Sequence, residues 1–193
     1  MDIRLPERLP LEKVPAGTRW IRLHGQPRGP LWFGPAAGCL PVNRFDDPLG
    51  SFRVCYLGTT VEACFAETFL RNPPVRILSL SDLGRRSLAI VEVRKELRIV
   101  PLHGPALAQL GVTAEAASGS KYDTSRCWSH ALWNHANRPD GIVYRSRHDD
   151  SALSIALFDR AKAKVRLLSD HSLVGDLELL SGLLKRYRLG LTN

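Results

Sequence analysis

The sequence predicts a mixed α+β fold rather than a regular parallel α/β sheet. Segments with strand and helix patterns alternate irregularly along the chain, and the strand patterns cluster towards its C-terminal end. A chain of 193 residues is long enough for one well-filled core and short for two. We therefore expect an N-terminal arm over residues 1–18, one folded domain over residues 19–170, and a C-terminal helix over residues 171–193 that packs on this domain.

Composition narrows the classes of protein that fit. The hydrophobic share of 44% is typical of a globular protein, and 27 Lys and Arg residues against 19 acidic ones give a net charge of +8, which favours an anionic partner such as nucleic acid, a phosphorylated ligand or an acidic protein. No apolar run approaches the roughly 18 to 20 residues that cross a bilayer, and the charged, proline-rich start is unlike a signal peptide. We expect a cytoplasmic protein without membrane contact.

The cysteine pattern argues against two common frameworks. The four cysteines are far apart and form no C-x-x-C pair, so neither a zinc ribbon nor a set of disulfides is indicated. We therefore expect free thiols and no metal site.

The first half of the chain is read as two strands that flank a long loop. RWIRLH (19–24) and RVCYLG (53–58) have the alternating, β-branched pattern of strands. Residues 25–52 between them carry five prolines and five glycines, which forbids a long helix or strand. An ordered loop of this length commonly holds a ligand.

The stretch TTVEACFAETFLR (59–71) follows the second strand directly and predicts a helix that begins at about Thr60. Thr59-x-x-Glu62 has the spacing of a capping box, which gives Glu62 a structural role. Glu67 instead falls at the edge of the apolar stripe. It is either a surface glutamate paired with Arg71 one turn on, a contact of about 0.2 to 0.5 kcal/mol, or a functional group.

The remainder of the chain predicts further strands and helices. Strand patterns occur at VRILSL (75–80), SLAIVEV (87–93), GIVYRS (141–146), LSIALFD (153–159) and KVRLL (164–168). Short helical pieces are expected over 105–117, a tryptophan-bearing helix over 123–141 capped by Asp123 or Thr124, and a last amphipathic helix capped by Asp176.

Three polar or aromatic side chains lie at positions where a pocket commonly forms. Tyr56 is close to the end of the strand that precedes the helix, and Ser146 is at the end of another strand. Arg44 lies in the glycine-rich loop, where its planar guanidinium could hold a phosphate. Two of them also have an ordinary explanation, since Arg44 could pair with Asp46 or Asp47, and Ser146 could be a turn residue.

Taken together, these pieces resemble the RES domain family, named for its Arg, Glu and Ser residues. The matching segments extend from about residue 20 to residue 159 and are WIRL, NRFDDP, VCYLGTTVEACFAETFLR, CWSHALW and DGIVYRSRHDDSALSIALFD. In this resemblance Arg44, Tyr56, Glu67 and Ser146 match the functional positions of the family, and Arg22 matches a further arginine on the first strand.

The resemblance implies an ADP-ribosyltransferase-like mixed sheet and an enzyme that breaks down NAD. It also implies the toxin of a toxin–antitoxin pair, neutralised by a DNA-binding antitoxin protein of the Xre type and able to form a homodimer within a larger complex. NAD would be the substrate, with no cofactor, because the chain has neither a Rossmann glycine motif nor a P-loop.

Each matched residue then has an expected role. Glu67 would stabilise the positive charge on the ribose as nicotinamide leaves, and Tyr56 would stack on the nicotinamide ring. Arg44 and Arg22 would hold the pyrophosphate, and Ser146 would orient the ribose or the amide. We expect no direct binding of nucleic acid.

Two other functions stay open at the level of sequence. The high positive charge also fits a basic nucleic-acid-binding protein without catalytic activity, although its cations are scattered and no known nucleic-acid-binding motif is present. An ADP-ribosyltransferase acting on a macromolecule would need the same grip on NAD. Within NAD breakdown itself, the acceptor could be water or inorganic phosphate.

Overall fold

The computed structural model describes residues 3–25, 28–34 and 38–193, and it confirms the predicted α+β fold. Its strands, in chain order, are β1 (Glu12–Val14), β2 (Arg19–Gly25), β3 (Val54–Gly58), β4 (Ile77–Ser79), β5 (Arg86–Val93), β6 (Leu97–Leu102), β7 (Gly141–Arg145), β8 (Leu153–Phe158), β9 (Val165–Ser172) and β10 (Gly190–Thr192). Its helices are α1 (Val61–Phe69), α2 (Leu80–Gly84), α3 (Pro105–Leu110), α4 (Glu115–Ser118), α5 (Tyr122–Asn134) and α6 (Leu177–Tyr187). Two 3₁₀ turns, Asp159–Lys164 and Leu173–Gly175, flank β9.

Eight strands form one mixed sheet in the order β1-β6-β7-β8-β3-β2-β5-β9. Only the β6–β7 pair is parallel, and the other pairs are antiparallel. The sheet is nearly interrupted in its middle, because β2 and β3 share the single register pair Ile21 and Gly58. By contrast, all of β2 pairs with β5 and all of β3 pairs with β8. The two halves of the sheet therefore diverge between β2 and β3.

Three apolar clusters pack around this sheet, and two of them hold helices against it. One joins α5 to the loop and to β7 and β8 through Phe45, Leu132 and Phe158, all fully buried. A second lies around Trp20, Val91 and Ile155. The third packs α1, α2 and α6 together, with Phe65, Leu83 and Leu180 at its centre. Each such side chain contributes roughly 1.5 to 3 kcal/mol of burial free energy.

The long loop is ordered by two buried carboxylates, Asp46 and Asp47. The described residues between β2 and β3, 28–34 and 38–52, contain turns and bends but no helix or strand, as predicted. Asp46 Oδ2 accepts hydrogen bonds from the backbone amides of Val42 (3.0 Å) and Asn43 (2.7 Å). Asp47 Oδ1 lies 2.8 Å from His130 Nδ1 on α5, which ties the loop to that helix.

Several predicted boundaries were wrong. The cap of α1 is Thr60, whose hydroxyl accepts from Ala63 N (3.2 Å), whereas the Thr59 hydroxyl donates to the carbonyl of Leu153, so the expected capping box with Glu62 does not form. The strand expected over 75–80 is only β4, because Ser79 caps α2.

Two further differences lie in the second half of the chain. Helix α5 follows Lys121 without a side-chain cap, so Asp123 and Thr124 are inside its first turn, and it ends at Asn134 rather than near Pro139. Strand β6 was not predicted, since Pro101 lies within it. A proline is tolerated there because β1 pairs only with Leu97–Ile99 and leaves the outer side beyond it unpaired.

Both ends of the described chain contact the sheet or its helices. Leu9 is buried in the first cluster, and β1 pairs with β6 at one edge of the sheet. Asp176 caps α6 as predicted, accepting from Leu179 N (3.0 Å), and β10 then pairs in parallel with β4. In the part of the chain that the structure describes, no helix is long and apolar enough to cross a membrane.

Candidate active site

A cavity of about 300 Å³ lies where the sheet diverges between β2 and β3. Its walls come from these two strands, from α1 and from the loop around residues 42–44, and Tyr122 and Tyr144 also line it. The sheet opening thus becomes a pocket that α1 partly covers. Four of the five residues singled out from the sequence line it, namely Arg22, Arg44, Tyr56 and Glu67.

Arg22 bridges the gap between the two strands. It is buried, with 7% of its surface exposed, and its Nη1 donates to the carbonyl of Tyr56 (3.0 Å) and to the Cys55 thiol (3.1 Å). Its Nε is buried and has no hydrogen-bond partner among the described residues. The guanidinium therefore replaces the missing strand hydrogen bonds and still has donor capacity at the cavity.

Arg44 is held by contacts other than the ion pair that the sequence suggested. Its Nη1 donates to the carbonyl of Gly119 (2.6 Å), and its guanidinium lies 4.7 Å from the centre of the Tyr122 ring. Asp46 and Asp47 bind backbone amides, Tyr56 and His130 instead. Since neither carboxylate neutralises it, Arg44 keeps its charge for an anion in the cavity.

Tyr56 presents its ring to the cavity while its hydroxyl is used elsewhere. The hydroxyl donates to Asp46 Oδ1 and accepts from the backbone amide of Phe45, both at 2.9 Å. Burial raises the pKa of Tyr56 well above its usual range, and the charge of Asp46 adds to the effect. The hydroxyl thus supports the loop, and only the ring is available to a ligand.

Glu67 has an unpaired carboxylate. Its Oε1 accepts from the backbone amide of Arg147 at 3.2 Å, and it forms no ion pair with any described residue. The Arg71 side chain, which the sequence offered as a partner, donates through Nε to the backbone carbonyl of Glu67 (2.6 Å) instead. The carboxylate is therefore free to act on a ligand in the cavity.

Ser146 does not line the cavity. It is 1% exposed, and its Oγ accepts from the backbone amides of His148 (3.2 Å) and Asp149 (3.3 Å) in the turn that follows β7. This is the turn that the sequence left as the alternative explanation. The same turn carries the Arg147 amide that binds Glu67, so Ser146 is joined to the site through the backbone.

Several lining residues were missed from the sequence. They are three basic residues (Arg28, Arg71 and Arg86), three aromatic ones (Trp32, Tyr122 and Tyr144) and Ser154. Two of them could have been found from the sequence. Arg71 lies one turn after Glu67 on the same predicted helix, and Tyr144 lies two residues before Ser146 and so on the same face of a predicted strand. Arg28 and Arg86 could not be found in this way, because only the tertiary fold brings β5 and the loop together.

Two titratable groups near Glu67, Tyr144 and His148, are neutral at pH 7. Burial raises the pKa of Tyr144 far above its usual range, with the Glu67 carboxylate as the next cause. Burial lowers the pKa of His148, although Glu67 opposes this shift. Burial also lowers the pKa of Arg86. The charge of Asp82 opposes this shift and the neighbouring arginines add to it, but an arginine remains charged.

These features define a class of protein, an α+β protein with a basic, aromatic-walled cleft in which the described lining residues include one carboxylate. Such a cleft suits a small anionic ligand whose reaction develops positive charge. Across the described ranges, no group of three His, Cys, Asp or Glu residues is placed to hold a metal ion.

Comparison with known proteins gives the family. Residues 18–178 match the sequence model of the RES domain, so the chain belongs to the RES domain family. It is 33% identical to the "probable toxin y4kH" of Sinorhizobium fredii over 97 residues. This aligned segment covers 50% of this chain and 76% of that protein.

Among solved structures, the fold is similar to a chain of the M. tuberculosis MbcT–MbcA toxin–antitoxin complex. The TM-score is 0.66 with 17% identity, over 88% of this chain and 92% of the other. At that identity the likeness concerns the fold, and it supports the α+β assignment made above.

Proposed function

We propose that this protein cleaves the bond between nicotinamide and ribose in NAD, and that it is the toxin of a toxin–antitoxin pair that depletes NAD. One observation carries the proposal. Among the described residues that line the cavity, Glu67 is the only carboxylate, and it faces five arginines, which are Arg22, Arg28, Arg44, Arg71 and Arg86. Membership of the RES domain family and the toxin names of the compared proteins support the same function.

The chemistry of NAD cleavage needs few groups. As the bond breaks, the ribose develops the positive charge of an oxocarbenium ion, which a nearby carboxylate stabilises. Glu67 supplies this carboxylate. Nicotinamide is positively charged in NAD and leaves neutral, so no acid has to protonate it, and the neutral Tyr144 and His148 are compatible with this.

Binding of NAD is assigned to the residues around Glu67. Arg22 and Arg44 hold the pyrophosphate, since each keeps positive charge that no described carboxylate neutralises. The ring of Tyr56 stacks on the cationic nicotinamide, because the ring faces the cavity and the hydroxyl does not. Ser146 contributes through its turn rather than by touching NAD. NAD is a substrate, and no cofactor is proposed.

The acceptor of the ADP-ribose is water or inorganic phosphate. The grouping of five arginines around one cavity, rather than along a flat face, favours a small anion over the nucleic acid that the net charge alone would allow. Transfer of ADP-ribose to a macromolecule would use the same NAD-binding residues. It is distinguished by its product, a macromolecule that carries ADP-ribose.

The test is the rate of nicotinamide release from NAD by the purified protein, with and without phosphate. Glu67→Gln keeps the shape of the side chain and removes its charge, so we expect the rate to fall by about 10²- to 10³-fold. Glu62→Gln on the same helix is the matched control and should leave the rate within about twofold, because Glu62 does not line the cavity. Melting temperatures of all three proteins report on folding.

The outcomes separate the parts of this proposal. Full activity of Glu67→Gln would remove Glu67 from the mechanism. Absence of nicotinamide from well-folded wild-type protein would overturn NAD cleavage. With phosphate present, ADP-ribose as the product indicates hydrolysis, and a phosphorylated ADP-ribose indicates phosphorolysis.

We also propose that an Xre-type antitoxin binds beside the cavity and blocks entry of NAD. Support comes from the loop that forms one wall, where Leu40, Val42 and Leu49 are 84%, 62% and 73% exposed. Val42 lines the cavity and the other two belong to the same loop, and exposed apolar side chains of this kind are typical of a surface that a partner covers. A homodimer of the toxin within the complex is compatible with this placement.

A further inference from the structure

We propose that Tyr187 and Asp149 are positioning residues for the carboxylate of Glu67. Tyr187 in the C-terminal helix α6 donates a hydrogen bond to Asp149, and this bond fixes the turn at residues 146–152, which holds Glu67. This inference rests on the proposed function, because it assigns a role in cleavage to Glu67. It places part of the catalytic support in the C-terminal helix, which the sequence analysis had separated from the main domain.

Residues 146–152 form a closed turn after β7. Ser146 N donates to the carbonyl of Ala152 (2.9 Å), and Ala152 N donates to the carbonyl of Asp149 (3.0 Å), so the segment closes on itself. Within it the Arg147 amide points to Glu67 Oε1 at 3.2 Å, while the Arg147 side chain is exposed. Among the described residues, the backbone of this turn therefore supplies the hydrogen bond that holds the Glu67 side chain.

The carboxylate of Asp149 links this turn to α6. Its Oδ1 accepts from Ser151 N (3.2 Å) and Ser151 Oγ (2.5 Å) within the turn. Its Oδ2 accepts from the Tyr187 hydroxyl at 2.7 Å, with Arg186 Nη2 at 3.7 Å. The hydrogen bond from Ser151 is the largest cause that lowers the pKa of Asp149, and the Tyr187 hydroxyl acts in the same direction. The link between α6 and the turn is therefore a charge-assisted hydrogen bond.

The ring of Tyr187 contacts α1, the helix that carries Glu67. The ring stacks on Phe65 with centroids 5.8 Å apart and planes inclined by 5°. Phe65 is fully buried in α1, two residues before Glu67, and the Tyr187 hydroxyl also lies 3.4 Å from the carbonyl of Glu62. One side chain at the end of α6 therefore contacts both elements that hold Glu67, the helix through its ring and the turn through its hydroxyl.

The ring and the hydroxyl can be separated by mutation. Tyr187→Phe keeps the stack on Phe65 and removes the hydroxyl, with its short hydrogen bond to Asp149 (2.7 Å) and its longer one to the carbonyl of Glu62 (3.4 Å). We expect kcat for nicotinamide release to fall about 10- to 100-fold, because small displacements of a catalytic group cost this much. The KM for NAD should stay within about twofold, since the arginines of the cavity are untouched. Asp149→Asn should act in the same direction, and the double variant should lose no more than the worse single one.

A matched control separates positioning from general loosening of α6. Asp176→Ala removes the N-cap of the same helix, at its other end, and leaves Tyr187 and Asp149 in place. This variant should keep wild-type kcat. Hydrogen exchange of the segment 146–152 gives a readout that does not depend on activity, and it should be faster in Tyr187→Phe than in wild type or in Asp176→Ala.

The result decides the inference in each case. Reduced kcat with unchanged KM and faster exchange of 146–152 supports it. Wild-type kcat in Tyr187→Phe, or an equal loss in Asp176→Ala, overturns it. If the wild type releases no nicotinamide, the proposed function fails, whereas the exchange experiment still shows whether the hydroxyl holds the turn.

Discussion

Arg71 leaves the Glu67 carboxylate unpaired because it satisfies a different group. The last four carbonyls of a helix lack partners within the helix, and that of Glu67 is among them in α1. Arg71 Nε donates to it at 2.6 Å, so the arginine that follows Glu67 by one turn closes the helix end. A helical-wheel reading finds the proximity of the two side chains but cannot distinguish a bond to the carboxylate from a bond to the backbone.

His148, beside Glu67, gives the protein a pH-dependent stability. Burial lowers its pKa in the folded state, so on acidification the unfolded chain takes up the proton first. Its contribution is fully present above the unfolded value of about 6.5 and is lost as the pH falls below it. The pKa of His103 is lowered as well, again chiefly by burial, and acts with the same sign.

We therefore expect the wild type to be less stable to urea at pH 5.5 than at pH 7.5. His148→Gln should reduce this difference, and His148→Gln with His103→Gln should reduce it further, because each substitution removes one such group. Urea unfolding of the three proteins at both pH values is the measurement. Greater stability at the lower pH, or an unchanged difference in both variants, would contradict the assignment.

At the level of single residues, the sequence and the family resemblance identified four residues that line one cavity, but not the contacts that hold them there. Arg22, Arg44, Tyr56 and Glu67 meet at one cavity, as expected from their order along the chain and the family resemblance. That the Tyr56 hydroxyl is tied to Asp46 could not be predicted, because it depends on where the loop folds. For the same reason, the sequence could not show that Ser146, which the resemblance placed in contact with NAD, lies in a turn outside the cavity.

Among the elements, the junction of β3 and α1 sets the position of the candidate catalytic helix. Gly58 ends β3, and a Cβ added there would lie 2.7 Å from Cys64 Sγ and 3.0 Å from Ala63 Cβ. The strand can therefore run directly under the first turn of α1 only if residue 58 has no side chain.

Two glycine-to-alanine substitutions should consequently have opposite effects. Gly58→Ala should lower the free energy of unfolding by about 1 to 3 kcal/mol through overpacking. Gly182→Ala lies inside α6 with nothing within 4 Å of the added Cβ, and it should raise the free energy by about 0.5 to 1 kcal/mol. Urea unfolding measures both. A neutral Gly58→Ala would mean that α1 can move away from β3 without cost.

Elements with strong local patterns were predicted well, and those fixed by tertiary contacts were not. Strands β2, β3, β5 and β8 and helix α1 follow from alternation, a glycine stop and a threonine cap. Strand β6 was missed because Pro101 normally argues against a strand, and only the short length of β1 makes room for it. The start of α5 was misplaced because its first turn relies on packing rather than on a side-chain cap.

For the molecule as a whole, the exposed loop beside the cavity tests the proposed partner. Leu40→Asp with Leu49→Asp puts charge on the exposed apolar surface, so we expect binding of an Xre-type antitoxin to weaken at least about tenfold. Leu177→Asp is the control, because Leu177 is similarly exposed, at 74%, but lies on the first turn of α6. Calorimetry measures the affinities. Equal weakening by all three substitutions, or none, would place the antitoxin elsewhere.

The strand order determines when the cavity can exist during synthesis. Strand β3, which forms one wall, pairs with β8, so that Val54 lies beside Phe158 about a hundred residues later in the chain. At about 5 to 20 residues per second, the ribosome needs roughly 5 to 20 s to make that distance. Until then β3 has no partner on that side, and the arginines of the cleft are not yet assembled around Glu67. The NAD cleavage proposed above therefore cannot begin before β8 has been made.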